Sequence, residues 1–497
     1  MNMKMIAAAC VAFCGVSAFA AVTPSCNAAA AAADGVTLLK SCSPEITFYG
    51  AGASAMSGGI KATLATDTVV FDKSKPFVTI NLSGNSNAYA YYGYGATGKS
   101  WAGKRVAVII NSTNGSMAGV NQLLTGLKTG SVEAGVDQQE YKTIMLHTAA
   151  AQKAGTSMPD ADVTVNTASA LAPVVTLAST RVEDFKKAWG VDKQKVAHMA
   201  FSDVRPSEAT PGQIAKWDPK SFPSETIAMQ GFGVLVNTNM YKALQARDIA
   251  AKRMASACQD DVATASCQPN IFTADYTALM TGKVTAAADL GLTGTLTLHR
   301  RPASSGTQAA TQIRFAGQTN YVGKAPVNGL TPALSIAAFN MAGSEVTNTA
   351  GVAVGDVTVK THSGTGDLIT AVRGDTTGLS IGVVSLDNAA SKFGASRAAQ
   401  TAFFVKLDGV SPDFTGASDT ALDSKYRTAL QNGYNFAYEF QTLKSAKLAG
   451  DYSGIYSAIV GGLKDPAANL TGIAYIGGAT NSTTWTRGGN NNFPINK

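Results

Sequence analysis

The sequence predicts an α/β protein in which strands alternate with helices and the functional residues sit at the carboxyl edge of the sheet. Three observations carry this. Strand-like runs such as residues 105–110 (RVAVII) and 295–298 recur between segments of helical period. Several of these strands end in a turn of Gly, Ser, Thr or Asp just before the next helix, the usual place for a ligand in a doubly wound sheet. With 45% hydrophobic and 15% charged residues, the 497-residue chain has the composition of a folded protein of roughly three domain-sized units.

The first 20 residues stand apart. A positive start ending at Lys4, an apolar run over 5–16 and Ala18-Phe19-Ala20 as an A-x-A cleavage site make a secretory signal peptide. Cys10 and Cys14 lie inside it, and no lipobox ends at the cleavage point. No other run of 18 apolar residues occurs, so no membrane insertion is expected. The mature chain keeps Cys26, Cys42, Cys258 and Cys267. Four cysteines in an exported chain allow three pairings, and closeness favours Cys26–Cys42 with Cys258–Cys267. No Cys-x-x-Cys and no nearby His supports a metal, and no cofactor is expected. The net charge of +7 is spread without a Lys/Arg block, which argues against nucleic acid.

In order, residues 21–45 are a small, Ala-rich lead-in. Residues 46–49 read as a strand that ends in Gly50-Ala51-Gly52-Ala53-Ser54-Ala55. Residues 60–100 are rich in Gly, Ser, Asn and Tyr, and the tyrosines read as a packed or exposed loop surface rather than a binding platform. Within them, residues 93–100 match G-x-x-x-x-G-K-[ST] letter for letter. A phosphate-cradling loop of that kind needs a buried strand before it and a helix after it, and Tyr89, Tyr91 and Tyr92 before, with Trp101-Ala102-Gly103 after, supply neither. The strand 105–110 leads through a Gly/Ser turn, with Ser116, into a helix bearing Val120, Leu123 and Leu124. Residues 125–195 are mixed, with a helix-like 182–190, and the strand 196–201 runs into Ser202-Asp203.

Residues 227–237 read as a strand broken by Gly231 and Gly233, with helices following near 240–247 and 272–281. Residues 295–315 then give a strand, the pair Arg300-Arg301, a turn at Pro302, the run Ser304-Ser305-Gly306-Thr307 and a helix. Further on, residues 363–366 (SGTG) precede a helix through Val372. Strands are expected at 379–386, 403–408 and 434–443, a helix over 450–465, and a surface loop from Gly477 to Lys497. A helix N-terminus has unpaired N–H groups and a partial positive charge, so an arginine beside one suits a small oxyanion. The plainer reading of 295–315 is a capped helix after a basic turn.

The order of these motifs resembles the phosphate-binding protein of bacterial ABC importers. Residues 50–54 are similar to that family's GAGAT turn, 115–120 to its GxGSxGG segment and Phe201-Ser202-Asp203 to its Ser-Asp. Residues 227–237 resemble its interlobe strand, 271–283 its "lgdIylGkI" helix, 300–307 its RRxDGSGT loop, 381–384 its IGYV and 404–412 its following strand and turn. The likeness is collinear from about residue 45 to about 470. It implies a two-lobed, type II periplasmic-binding-protein-like α/β fold. One lobe would be formed by 21–226 plus 409–497 and the other by 227–408, with a ligand cleft between them and hinges near 227–237 and 404–408. It also implies an extracytoplasmic receptor that captures phosphate or a similar oxyanion for an ABC permease, and not an enzyme.

Carried over residue by residue, the resemblance has Ser54 and the N–H of Ala55 donating to one anion oxygen and Ser116 to another. Arg301 gives a charge-assisted pair, and Ser305, Gly306 and Thr307 donate from a helix N-terminus. Asp203 would accept a proton that phosphate carries and sulfate lacks. The sequence departs from the family where Ala55 replaces an aromatic, where Ser304 replaces a glycine and where Ala303 replaces the acid that orients the pocket arginine, which leaves Arg301 without that anchor. Insertions over about 56–110 and 125–195 and the Gly/Asn-rich tail are additional. Those additions, the low charge and 49 glycines suit a second reading, a surface-layer-like or secreted protein that associates with copies of itself. His147, His198, His299 and His362 are scattered, His299 is expected to be packed or solvated, and no nucleophile–base pair is visible.

Overall fold

The computed structural model describes residues 31–42, 44–66, 69–82, 85–112, 115–125, 163–166, 169–177, 197–208, 217–302, 304–316, 348–388, 392–394, 396–414, 426–431, 433–465, 472–475, 485–487 and 494–496. The proposed signal peptide, Cys26, Ala303, His147 and the helix-like 182–190 lie outside them.

The chain is a mixed α/β protein built on one 15-stranded sheet flanked by helices. In chain order the strands of the amino-terminal half are β1 (Ile46–Gly52), β2 (Phe77–Leu82), β3 (Asn85–Tyr94), β4 (Arg105–Asn111), β5 (Val163–Val165), β6 (Val174–Leu177) and β7 (Met199–Ser202). β8 (Ser224–Asn237) and β9 (Asn270–Ile271) follow. Next come β10 (Leu296–Arg300), β11 (Asn348–Val354), β12 (Val357–Thr361), β13 (Leu379–Ser385), β14 (Ala402–Phe404), β15 (Lys406–Leu407), β16 (Ala437–Lys444) and β17 (Ile473–Tyr475). The main path runs β11-β12-β10-β13-β8-β16-β7-β1-β4-β3-β2-β6-β5, with β14 and β17 also on β8.

Two parallel trios, β7-β1-β4 and β12-β10-β13, form the centres of the two halves. β8 joins them. Its residues 224–231 pair with β16 and β17, and residues 232–237 pair with β13 and β14. The registers fix how the halves meet. β7 ends at Ser202, opposite Gln441, which stands opposite Thr226 of β8. β13 runs from Val236 of β8 toward Phe232, opposite Ser385. The trios therefore approach the middle of β8 from its two ends, and their carboxyl edges face each other.

Alternation along β1 builds two of the cores. Phe48 packs with Ile60, Ile455 and Ile459 on one face, and Tyr49 packs with Leu39, Tyr92 and Ile109 on the other. The third core, around Leu235, Tyr241 and Phe404, fills the carboxyl-side half. β8 is unbroken where a break was expected. Gly231 lets Leu386 and Leu430 lie on the strand, and Gly233 lets Phe404 do so; a Cβ would stand 2.8 Å from Leu386 in the first case and 2.7 Å from Phe404 in the second.

Residues 60–100 are also not loop surface. They form a helix and the β2–β3 hairpin, and Tyr89, Tyr91 and Tyr92 are buried in the sheet because alternation on β3 turns them into the two cores. Residues 93–100 run from the end of β3 into turns, with no helix following. β4 is the parallel neighbour of β1. In the tail, Trp485–Arg487 pairs antiparallel with Pro494–Asn496, where a loop was expected. Cys258 and Cys267 are bonded to each other, and Cys42 is also disulfide-bonded. No helix among the described residues is long and apolar enough to cross a membrane.

Candidate anion site at the strand ends

Four helices start where the trios meet: α1 (Ser57–Thr66, entered through a 3-10 turn at Ser54–Met56), α2 (Gly115–Thr125), α3 (Gly306–Ala316) and α4 (Thr365–Gly374). Each follows a strand of a parallel trio: β1, β4, β10 and β12. Close backbone approach sets them in place. Gly52, at φ +140°, passes beside the carbonyl of Phe201 where a Cβ would stand 2.1 Å from the oxygen. A Cβ on Gly119 of α2 would stand 2.3 Å from Gly52 Cα, so α2 lies directly on the end of β1. Across the cleft, the Met117 N–H donates to Ser304 O at 3.0 Å, and Gly115 touches the backbone of Ser305.

Arg301 is the centre of the site. It is 1% exposed, and its guanidinium has neutral partners only. Nε donates to His362 O at 3.1 Å and Nη2 to Ser363 O at 2.6 Å. Nη1 donates to Thr365 Oγ1 at 2.7 Å and to Ser54 Oγ at 3.4 Å. The last bond crosses between the halves. Two carbonyls and a hydroxyl from the β12–α4 turn, the SGTG stretch, hold the side chain without lending it a negative charge. Among the described residues, Arg301 forms no ion pair with a carboxylate. Burial lowers its pKa to about 10, with Asp203 and Asp367 acting the other way.

Asp203 and Ser116 face Arg301's loop from the other half. Both are buried, and the Asp203 N–H donates to Ser116 Oγ at 3.2 Å. Gly306, at the start of α3, fits against them. A Cβ there would stand 2.0 Å from Ser116 Oγ and 2.6 Å from Asp203 Oδ2. Asp203 Oδ1 and Thr307 Oγ1 are buried and have no hydrogen-bond partner among the described residues. Burial pushes the Asp203 carboxyl up to about 7, nearby Asp387 adds to this, and Arg301 and the Ser116 hydroxyl oppose it. Ser305 caps α3 through its hydroxyl, which accepts from Gln308 N at 3.5 Å, and Ala55 is buried in the turn before α1.

Behind Arg301 lies a buried imidazole pair. His299 Nδ1 and His362 Nε2 are 2.9 Å apart, and His299 Nε2 meets Ser380 Oγ at 3.1 Å, which donates to Asp375 at 2.6 Å. Burial, then His362 and Lys360, lowers His299 to about 3, with Asp375 opposing. Burial lowers His362 to about 4; Asp367 opposes this, while Arg301 and Lys360 add to it. His299 is packed, as its strand position implied. His198 is also structural, accepting from Tyr49 N at 3.0 Å and stacking on Tyr452.

Ser54, Ala55, Ser116, Asp203, Arg301, Ser305, Gly306 and Thr307 therefore lie on the turns that meet at this junction. Sequence reasoning passed over Thr365, Ser363 and Asp387. The first two had a signal: SGTG before a helix repeats the SSGT pattern of residues 304–307. Asp387 had none, since a lone acid two residues after a strand is common. Among the described residues no group of three or more His, Cys, Asp or Glu could hold a metal ion.

No family model matches the chain, and no curated protein matches it in sequence. Solved structures resemble it at the level of fold. A Clostridium perfringens protein crystallised with bound phosphate, designated a phosphate ABC transporter substrate-binding protein, is 11% identical with a TM-score of 0.38, covering 85% of this chain and 94% of its own. An ABC-type phosphate transport receptor from Vibrio cholerae is 14% identical with a TM-score of 0.27, covering 59% and 82%. A Planctomyces limnophilus protein designated a possible phosphate-binding protein is 10% identical with a TM-score of 0.28, covering 84% and 87%.

Proposed function

We propose that this chain is an extracytoplasmic solute-binding protein that captures phosphate or a similar oxyanion between its two halves and presents it to an ABC permease. The observation that carries the reading is Arg301. Among the described residues this fully buried guanidinium is hydrogen-bonded to neutral acceptors only, with Asp203 and Asp367 acting on it without an ion pair, and an anion in the junction would supply a direct charged partner. Helix N-termini from both halves add to that preference. Ser54, the N–H of Ala55, Ser116, Ser305, Gly306 and Thr307 are the proposed donors, and Asp203 the acceptor that favours an anion still carrying a proton.

In this reading residues 21–226 with the carboxyl-terminal segment form one lobe, and the other runs from 227 past 408 to about 413, since Asp413 is ion-paired to Arg397 and bonded to Gln268. Hinge motion would centre on Gly231–Phe232, where the partners of β8 change, and on the return crossing beyond Asp413. The test is calorimetry of the purified protein with phosphate, arsenate and sulfate. Heat with phosphate or arsenate, lost in Arg301→Met, supports capture. No heat with any of them, together with ordered arrays of the protein, would replace this reading with the surface-layer one.

A further inference from the structure

Asp387 belongs to the cleft but has no part in the reading above. It follows β13 as Asp203 follows β7. These are the inner strands of the two parallel trios, and they approach the middle of β8 from opposite ends. Asp387 Oδ1 is held by Ser385 Oγ at 2.5 Å and Asn388 Nδ2 at 3.2 Å. Its Oδ2 lies 3.9 Å from where a Cβ on Gly58 would stand, so it faces the first turn of α1, just past Ser54. Two neighbouring buried oxygens have no partner among the described residues: Asp203 Oδ1, and the Oγ of Ser57, the first residue of α1.

Resting on the oxyanion reading, we propose that Asp387 is a second acidic contact to the ligand. The occupied cleft then holds two protons among Asp203, Asp387 and the anion. A bound anion next to two carboxylates would meet like charge on both sides unless a proton lies in each contact. Dihydrogen phosphate against two carboxylates and hydrogen phosphate against one carboxylate and one carboxylic acid are the same complex, so only the total proton count matters. The ligand class is a polyprotic oxyacid, phosphate or arsenate. Sulfate brings no proton and has to draw both from the protein.

The charges around Asp387 among the described residues are Asp203 after β7, Lys392 in its own connecting segment and Lys61 on α1 facing Lys392. Burial raises Asp387 to about 7, with Ser385 and Lys392 opposing. Both carboxyls therefore change protonation near neutral pH, where phosphate does too.

The experiment is calorimetric titration with inorganic phosphate across pH, in buffers of different ionisation enthalpy, on the full chain and on Asp387→Asn. At about pH 8, where free phosphate is mostly the dianion, the full chain takes up about one proton per phosphate bound, and affinity falls about tenfold per pH unit above that. Asp387→Asn, which keeps the Oδ1 acceptor, binds with uptake near zero and a slope shallower by about one proton. Uptake near zero in the unaltered chain overturns the proposal without use of a variant. An unchanged slope in a folded Asp387→Asn also overturns it, whether affinity is kept or falls equally at every pH, as it would if Asp387 only latched the lobes through α1. If no oxyanion binds at any pH, the oxyanion reading itself fails and this proposal fails with it.

Discussion

Two arginines of the carboxyl-side half, Arg397 and Arg301, are held in opposite ways. Arg397 forms an ion pair with Asp413 at 2.6 Å, donates to Val262 O at 2.9 Å and stacks on Phe403 and Phe414. Burial works to lower its pKa, but Asp413 and Tyr241 outweigh it, and the net shift is upward. Arg301 is more deeply buried, is held by carbonyls and hydroxyls, and shifts downward to about 10. The first charge is neutralised by a direct ion pair, while the second is oriented by neutral acceptors and meets Asp203 and Asp367 without an ion pair. Orientation and neutralisation are separable, and a chain can supply the first without the second by using neutral acceptors.

The sharpest test separates the two arginines. Arg397→Met leaves Asp413 as an unpaired buried carboxylate and is expected to cost about 3–5 kcal/mol in denaturant unfolding, with phosphate affinity per folded molecule unchanged. Arg301→Met removes a bare buried cation. It is expected to leave stability the same or higher while phosphate affinity falls at least about 100-fold, the loss of two charge-assisted bonds. If both variants lose stability alike, the contrast is wrong.

Next comes the fit around Gly306. Gly306→Ala drives a methyl into Ser116 and Asp203 and is expected to weaken binding by about 10- to 100-fold, read by calorimetry. Gly366→Ala, on α4 with open space around it, is expected to change binding by less than about twofold. A smaller effect concerns selectivity. Asp203→Asn should narrow the preference for phosphate over sulfate by about tenfold, measured as the ratio of the two dissociation constants, since an amide can donate to sulfate where a carboxylate repels it.

The smallest effect belongs to the imidazoles behind Arg301. Both are depressed in the folded state, His299 to about 3 and His362 to about 4, from 6.5. The unfolded chain therefore binds more protons below about 6.5, and their contribution is fully present above that value and lost as pH falls toward the folded values. His299→Gln is expected to flatten this acid limb in unfolding measurements taken between about pH 6 and about pH 4. Phosphate binding at neutral pH changes little, because Arg301 is held by the His362 carbonyl and not by its ring.

Much of the site was legible because strand ends and helix starts carry local signals. Ser54, Ser116, Asp203 and Ser305-Gly306-Thr307 each stand at a Gly/Ser/Asp break between an apolar run and a helical period, and the structure gathers those breaks at one junction. What was not legible depends on pairing between distant segments. Tyr89, Tyr91 and Tyr92 read as packed or exposed loop and not as strand because their polar, Gly-rich neighbours hide a period of two, and the flanking strands β2 and β4 make them core. Gly231 and Gly233 read as breaks because their reason is not local: Leu386, Leu430 and Phe404 come from far along the chain. The support of Arg301 was missed for the same cause. The search was for an acid two residues away, and the acceptors are about 60 residues on.

β8 has one more consequence. Its amino-terminal residues complete one half of the sheet, its carboxyl-terminal residues complete the other, and nearly all of the strand is buried. Neither half can be cut free without stripping one side of this strand and baring an apolar edge. The halves therefore melt together: a single calorimetric transition is expected, and separately expressed halves should aggregate, whereas together in one vessel they can complement each other through the shared ladder.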